Sequence, residues 1–92
     1  MLYMSIQTWD PEKRDAVIER VKKIGLEHKG EKLLGTWVDV SGLRSYQLVD
    51  VPNDIDPIQN LKNYFAWNDI MKIETIPVVE AGEMMKALSS MK

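Results

Sequence analysis

Cysteine is absent from this chain, and histidine occurs once, as His28. The absence of cysteine excludes disulfide bonds, thiolate metal ligands and a cysteine nucleophile. A single histidine among scattered carboxylates matches no known ligand spacing, so we expect no metal site. The glycines never cluster into a phosphate-binding loop, and nothing else in the sequence indicates a cofactor.

Long apolar runs and an excess of basic charge are also missing. No stretch approaches the ~20 apolar residues of a membrane span. The first residues lack the basic segment and apolar run of a signal peptide, so we expect a cytoplasmic protein without a membrane partner. The net charge is −2 and the isoelectric point is near 5.3. Because nucleic acids bind basic surfaces, a nucleic-acid partner is not expected either.

The sequence does have the composition of a soluble globular domain. Hydrophobic residues make up 45% and charged residues 28% of the 92 positions, which are ordinary values for such a domain. A chain of this length holds one hydrophobic core. We therefore expect a single domain over residues 1–92.

Two strand–helix–strand patterns follow each other along the chain. The first begins with apolar–polar alternation over residues 2–9, which is typical of a strand. Asp10 and Pro11 then give the N-cap and first-turn signal of a helix, which we expect to end at Lys29 and Gly30. The apolar stripe of this helix, predicted to face the sheet, consists of Val17, Val21, Ile24 and His28.

The next two strands are predicted to form a hairpin. They cover residues 32–40 and 43–51, and a two-residue turn at Ser41–Gly42 joins them. In this register Trp37 pairs with Tyr46 on one face of the sheet. The other pairs are Thr36 with Gln47, Val40 with Leu43, and Asp39 with Arg44 as an ion pair.

The second half of the chain repeats the first. Asp56–Pro57 gives the same helix-start signal, and Ile58, Leu61 and Phe65 provide the apolar stripe. The fourth strand is predicted at residues 71–78, where a proline near the end indicates an edge strand or a bulge. A C-terminal amphipathic helix follows, with a stripe formed by Ala81, Met84, Met85 and Leu88.

This element order predicts an α+β fold. Right-handed crossovers make it the ferredoxin-like βαββαβ fold, a four-stranded antiparallel sheet with two helices on one face and a C-terminal helix in addition. Both faces of the predicted sheet carry large apolar side chains, but two helices cover only one face. The C-terminal helix, another subunit, or both must cover the second face. We expect a homodimer, which pairs sheet against sheet across a two-fold axis.

Four short segments, spread over nearly the whole chain, are distinctive. They are residues 1–4 (Met-Leu-Tyr-Met), 35–39 (Gly-Thr-Trp-Val-Asp), 46–48 (Tyr-Gln-Leu) and 76–79 (Ile-Pro-Val-Val). Together they resemble a family of short uncharacterised microbial proteins, a domain of unknown function. The resemblance implies the dimeric α/β-barrel form of the ferredoxin-like fold. That superfamily includes cofactor-independent monooxygenases, isomerases, decarboxylases, haem-degrading enzymes and ligand-sensing domains, so the resemblance implies no particular substrate.

Aromatic residues are the main candidates for a binding site. Large rings with a polar group often line ligand pockets, although they serve core packing and interfaces equally well. Ser45 and Gln47 also interrupt an apolar face opposite Thr36, so these polar groups either bond one another or point into a polar cavity. We expect a small organic molecule to bind in an aromatic-lined pocket between sheet and helices. The predicted ligand-binding residues are Trp37, Tyr46, Gln47, Tyr3 and Trp67.

His28 is the candidate for catalysis. Its ordinary pKa suits proton transfer near neutral pH, and the resemblance then implies a cofactor-independent enzyme, monooxygenase-like or isomerase-like. Alternatively, His28 has a structural role, bonding a backbone carbonyl at the end of the first helix. A third hypothesis is a non-catalytic assembly module in which the aromatic residues only pack.

Overall fold

A computed structural model describes residues 1–91. The strands are β1 (Leu2–Thr8), β2 (Lys32–Val38), β3 (Arg44–Asp50) and β4 (Lys72–Pro77), and the helices are α1 (Arg14–Ile24), α2 (Pro57–Phe65) and α3 (Ala81–Ser90). The strands form one antiparallel sheet in the order β2-β3-β1-β4. This confirms the predicted α+β ferredoxin-like fold, with the proline-containing β4 at an edge.

The alternation of each strand divides the sheet into two faces of different composition. The covered face lies towards α1 and α2, and the open face lies on the opposite side. Along β1, Ser5 and Gln7 belong to the covered face and Met4 and Ile6 to the open face. The rest of the covered face comprises Tyr3, Thr36, Val38, Ser45, Gln47, Val49, Ile73 and Thr75. The rest of the open face comprises Leu2, Trp37, Tyr46, Leu48 and Ile76, with Arg44, Lys72 and Glu74 at one end.

The hairpin has the predicted register and a longer turn than predicted. Trp37 pairs with Tyr46 and Thr36 pairs with Gln47. The two-residue turn is wrong, because a loop over residues 39–43 joins the strands. Within it the Asp39 carboxylate accepts a hydrogen bond of 2.7 Å from the Ser41 backbone N–H instead of pairing with Arg44. That bond is the main reason why the pKa of Asp39 lies below its usual value.

Helix α1 ends earlier than predicted, at Ile24 rather than at Lys29 and Gly30. Gly25 follows with a φ of 78°, and its N–H donates to the Val21 carbonyl over 2.8 Å. Glycine adopts this backbone conformation without steric cost, so it ends the helix there. His28 consequently lies in the loop before β2 and is not part of the helical stripe.

Helix α2 begins as predicted but shows its apolar stripe to the outside. Asp56 caps it, because its carboxylate accepts a hydrogen bond of 3.0 Å from the Ile58 N–H. The exposed fractions of Ile58, Leu61 and Phe65 are 58%, 47% and 62%. The stripe therefore does not pack on the sheet, and Asn60, Asn63 and Tyr64 face the sheet instead.

The buried core lies at one end of the helix–sheet layer. Trp9, Val17, Trp67 and Ile70 form it, where β1 ends and β4 begins. Helix α3 adds nothing to it, since all of its residues are exposed. The radius of gyration is 15.4 Å, compared with about 12 Å for a compact domain of this length. The described chain is therefore less compact than a domain that buries its own apolar surface.

Candidate functional site

A cavity of about 720 Å³ separates the covered face from helices α1 and α2. All four strands and both helices contribute to its lining. Its volume falls within the range of small-molecule pockets, roughly 300–1,000 Å³. The lining is predominantly apolar, and its apolar side chains include Trp9, Val17, Val21, Val49, Trp67 and Ile73.

The floor of the cavity is polar and is centred on Gln7, which is 7% exposed. The Gln7 Nε2 donates to Ser5 Oγ over 2.6 Å, and the Gln7 Oε1 accepts from Ser45 Oγ over 2.7 Å. These residues meet because β1 and β3 pair Gln7 directly with Ser45. The polar residues of one strand therefore face those of the next, as cross-strand neighbours do.

Gln47 extends this network towards the loop after α1. It is 6% exposed, and its Oε1 accepts from Gln7 Nε2 over 3.4 Å. Its Nε2 donates to the Leu26 carbonyl over 3.3 Å. The neighbouring Thr36 has a fully buried Oγ1 with no hydrogen-bonding partner within residues 1–91. A buried hydroxyl without a partner is costly in free energy, so its position at a cavity calls for an explanation.

Polar contacts from α2 hold the loop between α1 and β2 at one side of the cavity. The Asn63 Nδ2 donates to the Lys29 carbonyl over 3.0 Å and to the Glu31 carboxylate over 2.9 Å. Further along α2, the Tyr64 hydroxyl lies 2.8 Å from Thr75 Oγ1 on β4. Asn63 and Tyr64 therefore connect α2 to the loop and to β4 across the cavity wall.

An ion pair braces the end of the cavity where Trp67 lies. The Arg20 guanidinium bonds both Asp69 carboxylate oxygens, over 2.6 and 3.0 Å, and the Ala66 carbonyl over 2.8 Å. It also lies 6.0 Å from the centre of the Trp67 ring. The hydrogen bond between the two side chains lowers the pKa of Asp69 and raises that of Arg20. The pair thereby links α1 to the segment that carries Trp67.

The structure divides the predicted site residues between the two faces. Tyr3, Gln47, Trp67 and His28 line the cavity. Trp37 and Tyr46 lie on the open face, so a single pocket containing all five predicted ligand-binding residues is not formed. The physical reason is the two-residue period of a strand, which puts Tyr46 and its neighbour Gln47 on opposite faces.

Trp37 packs against its own strand. Its ring lies so close to Gly35 that a Cβ added there would be 2.6 Å from Trp37 Cη2. The side chain is still 55% exposed. Trp37 therefore belongs to the apolar open face. The tryptophans that line the cavity are Trp9 and Trp67.

Sequence reasoning predicted Tyr3 but missed Ser5 and Gln7, the polar residues that β1 contributes to the cavity. Ser5 and Gln7 were the polar half of an alternating strand, a pattern that normally indicates a solvent-facing side. A signal was present, because Ser5 and Gln7 match Ser45 and Gln47 in type and spacing. Antiparallel pairing brings the two pairs together.

The cavity supplies hydrogen-bonding groups among mainly apolar side chains. No group of three or more His, Asp or Glu residues within 1–91 is arranged to hold a metal ion. The same part of the chain contains no helix with the length and apolar character needed to cross a bilayer. The arrangement suits binding of an organic molecule through shape and a few directed hydrogen bonds.

The family model described as "Domain of unknown function (DUF3303)" matches residues 1–92, and the chain belongs to this family. The match covers the whole sequence, including every element that lines the cavity. No curated protein matches the chain. The family description names no ligand or reaction, so a function must be argued from the site itself.

Proposed function

We propose that this protein is a small cytoplasmic homodimer, one domain per chain, that binds a small organic molecule in the cavity under α1 and α2. The observation that carries the proposal is the cavity itself. It has the volume of a ligand pocket, mainly apolar walls and a polar floor buried at Gln7 and Gln47. A pure assembly module would need no such space, because protein interiors are otherwise close-packed.

The open face supports the homodimer. Trp37 is 55% and Ile76 40% exposed there, and Met4, Ile6 and Leu48 lie between them in the sheet. Helix α3 buries none of its residues, so its apolar stripe also lacks a partner in the described chain. Contiguous apolar surface of this kind marks an interaction site. A two-fold axis allows each copy to cover the other.

Native mass spectrometry of the full chain purified from cells tests both parts of the proposal. We expect a dimer that carries a non-protein mass of a small organic molecule. A monomer would contradict the dimer, and a dimer without added mass, even after incubation with cell extract, would contradict the binding function.

A matched pair of variants locates the bound mass. Val21 lines the cavity and is half-buried, so Val21→Trp should fill the space and reduce the bound fraction. Val79 is 68% exposed, so Val79→Trp makes the same chemical change away from the cavity. If both variants lose the ligand equally, the ligand binds outside this cavity.

Catalysis by His28 is the second candidate function. The observation in its favour is that His28 is half-buried and lines the cavity even though the helix ends before it. Incubating the protein with the recovered compound, and following its mass over time, tests for turnover. We expect His28→Gln to retain the compound and lose its conversion. Conversion at the same rate in both proteins would exclude this role.

A further inference from the structure

We propose that helix α3 of one copy packs on the open face of a second copy, and that the second copy makes the same contact in return across the two-fold axis. This inference rests on the proposed homodimer and names the surfaces that join its two chains. It pairs the two apolar surfaces that a single chain leaves uncovered. They are the open face and the α3 stripe, which consists of Ala81, Met84, Met85 and Leu88.

Helix α3 needs a surface that covers its stripe. It has ten residues, Ala81–Ser90, and all of them are exposed. Isolated helices shorter than about 12–15 residues are only marginally stable in water. Helical spacing gathers the apolar residues on one side and puts Glu83, Lys86 and Ser90 on the other. Packing of the stripe against another surface would therefore stabilise the helix and leave its charges in solvent.

The described chain does not provide that surface itself. Only residues 78–80 separate α3 from β4, and the Val78 N–H still donates to the Leu2 carbonyl over 3.0 Å, as in a strand. The Cα atoms extend 52 Å in the longest direction and 17 Å in the shortest. Packed layers lie about 10 Å apart, so three stacked layers would need about 20 Å between the outer two. Helix α3 therefore does not form a third layer on its own open face.

The open face of a second copy matches α3 in size. A helix of ten residues is about 15 Å long and about 10 Å wide with its side chains. The central strands β1 and β3 lie about 5 Å apart, and the apolar residues from Leu2 to Ile6 extend over about 13 Å along β1. Tyr46 and Leu48 continue this surface on β3, beside Ile6 and Met4. One α3 therefore covers the centre of one open face.

Net charge favours this pairing over direct stacking of two open faces. The ends of the open face have three basic and two acidic side chains, namely Lys32, Arg44, Lys72, Asp50 and Glu74. Helix α3 and its cap residue have two acidic and one basic side chain, namely Glu80, Glu83 and Lys86. Surfaces of opposite net charge attract each other, and surfaces of like charge repel. The partner's α3 is therefore a better cover for the open face than the partner's sheet.

A lipid surface suits the α3 stripe less well. Helices that lie on membranes carry lysine and arginine on the polar side and often aromatic rings on the apolar side. The polar side of α3 has Glu83 within 3.5 Å of Lys86, and the stripe contains no aromatic residue. Methionine side chains adapt readily to a protein surface, so the composition of the stripe favours a protein partner.

Two charge variants of the full-length protein test whether α3 takes part in the dimer. Leu88→Lys puts an ammonium group in the stripe and should raise the dimer dissociation constant about 10-fold to 100-fold, because the interface would bury that charge. Ser90→Lys adds the same group on the opposite side of the helix and should change the constant less than about twofold. Native mass spectrometry over a concentration series measures both constants. Equal constants in the two variants would overturn the inference.

Cross-linking identifies the surface against which α3 packs. The chain contains no cysteine, so only introduced thiols react. A tagged chain carrying Met85→Cys is co-expressed with an untagged chain carrying Leu48→Cys, and the protein is treated with a short bismaleimide. We expect a product with the mass of one tagged and one untagged chain. Leu61→Cys is the matched partner variant on the outer side of α2, and it should give no such product.

Other products would overturn the inference while the dimer stands. A product with Leu61→Cys and none with Leu48→Cys would put α3 on the outer side of α2. A link between two copies of Leu48→Cys would show that the two sheets are in direct contact. A link within one Met85→Cys/Leu48→Cys chain, co-expressed with an excess of cysteine-free chain, would show that α3 folds back on its own sheet. If the parent protein is a monomer in native mass spectrometry, the homodimer fails together with the inference.

Discussion

The covered face of the sheet is more polar, and the open face more apolar, than expected of a monomer. In an antiparallel sheet with helices on one side, the helix side is normally apolar and the other side polar. Here the covered face carries Gln7 and Gln47, both buried, whereas the open face carries Trp37, of which 55% is exposed. A polar stripe under the helices is suited to binding a ligand, and an apolar face without helices is suited to packing against a second protein surface.

The two faces also differ in whether the chain itself provides partners for their side chains. On the covered face, hydrogen bonds of 2.6 and 2.7 Å connect Gln7 to Ser5 and Ser45, so most of the cost of burying them is offset within the chain. On the open face, no rearrangement within a strand can hide Leu48 or Ile6, because alternation fixes their direction. The comparison therefore predicts that changes on the open face act mainly on assembly and changes on the covered face on stability and binding.

The largest effect is expected from a charge on the open face. Leu48 lies between Met4 on β1 and Gly35 on β2, near the middle of the face. Leu48→Lys should raise the dimer dissociation constant at least about 100-fold, because each interface would bury two unpaired ammonium groups. Sedimentation equilibrium or native mass spectrometry over a concentration series measures this constant.

Leu61→Lys is the matched control for that change. Leu61 is 47% exposed on α2, on the other layer of the protein, so the dimer should persist in this variant. If Leu61→Lys dissociates the dimer and Leu48→Lys does not, the interface lies at the outer side of α2. The comparison of the two faces is then wrong.

A smaller effect, on the stability of each chain, is expected on the covered face. Gln7→Leu leaves Ser45 and Gln47 without the partner that they have now. It should lower the free energy of unfolding by about 1–3 kcal/mol, the cost of unsatisfied buried polar groups. Urea unfolding at fixed protein concentration gives this quantity.

The control for Gln7→Leu is its neighbour on the same strand. Thr8 belongs to the open face, and Thr8→Val should change the stability by less than about 0.5 kcal/mol. If both variants lose the same stability, the polar floor contributes nothing specific and its hydrogen-bond network is not the organising feature of the cavity.

The fold was predictable from local signals, and the residues of the site only in part. Strand alternation, the Asp56–Pro57 helix start and the pairing of Trp37 with Tyr46 are short-range features, and all of them appear in the structure. At Asp10–Pro11 the chain instead forms a 3-10 turn over Pro11–Lys13 without a side-chain cap, and α1 begins at Arg14. The face that α2 turns inward was not predictable in this way. An apolar stripe indicates a buried side, but it does not say whether the burying surface belongs to the same chain.

The pocket prediction failed in part for a related reason. Trp37 and Tyr46 were grouped with Gln47 by residue type, although alternation already separates Tyr46 from Gln47. Helix α1 was predicted to end at Lys29 and Gly30 because His28 continued the spacing of the stripe, while Gly25 carried the stronger signal. Chemical type suggested which residues bind, and the geometry of the strands decided which of them share a cavity.

Thr36→Val should change stability in the opposite direction from Gln7→Leu. The Thr36 hydroxyl is buried without a partner within residues 1–91, so replacing it with a methyl group of similar size removes an unsatisfied group. We expect a gain of about 1 kcal/mol in the ligand-free protein, measured by urea unfolding after removal of any bound compound.

A loss of stability in Thr36→Val would show that the hydroxyl is already satisfied by the folded protein. Gln7→Leu and Thr36→Val therefore change the free energy of unfolding in opposite directions. A general destabilisation of the fold by mutation cannot produce both results.

The smallest effect concerns the brace that holds the helix layer over the covered face. The hydrogen bond from Arg20 depresses the pKa of Asp69 below its usual 3.8. A carboxyl group with a depressed pKa in the folded state adds stability above its unfolded pKa and loses that contribution as the pH falls through the folded value. Asp69→Asn should therefore lower the melting temperature slightly at pH 7, and the difference from the parent protein should shrink as the pH falls below the ordinary pKa of aspartate, about 3.9, and through the lower folded-state pKa.

Thermal unfolding between pH 7 and pH 2.5 measures this difference. Glu19→Gln is the control, because Glu19 lies 3.8 Å from Lys22 in an exposed pair within α1 that connects no two elements, and such pairs contribute little. If Asp69→Asn and Glu19→Gln give the same pH profile, the Arg20–Asp69 pair is an ordinary surface contact. The α1 side of the cavity would then be held by Val17 in the buried core and by the hydrogen bond from Gln47 to the Leu26 carbonyl.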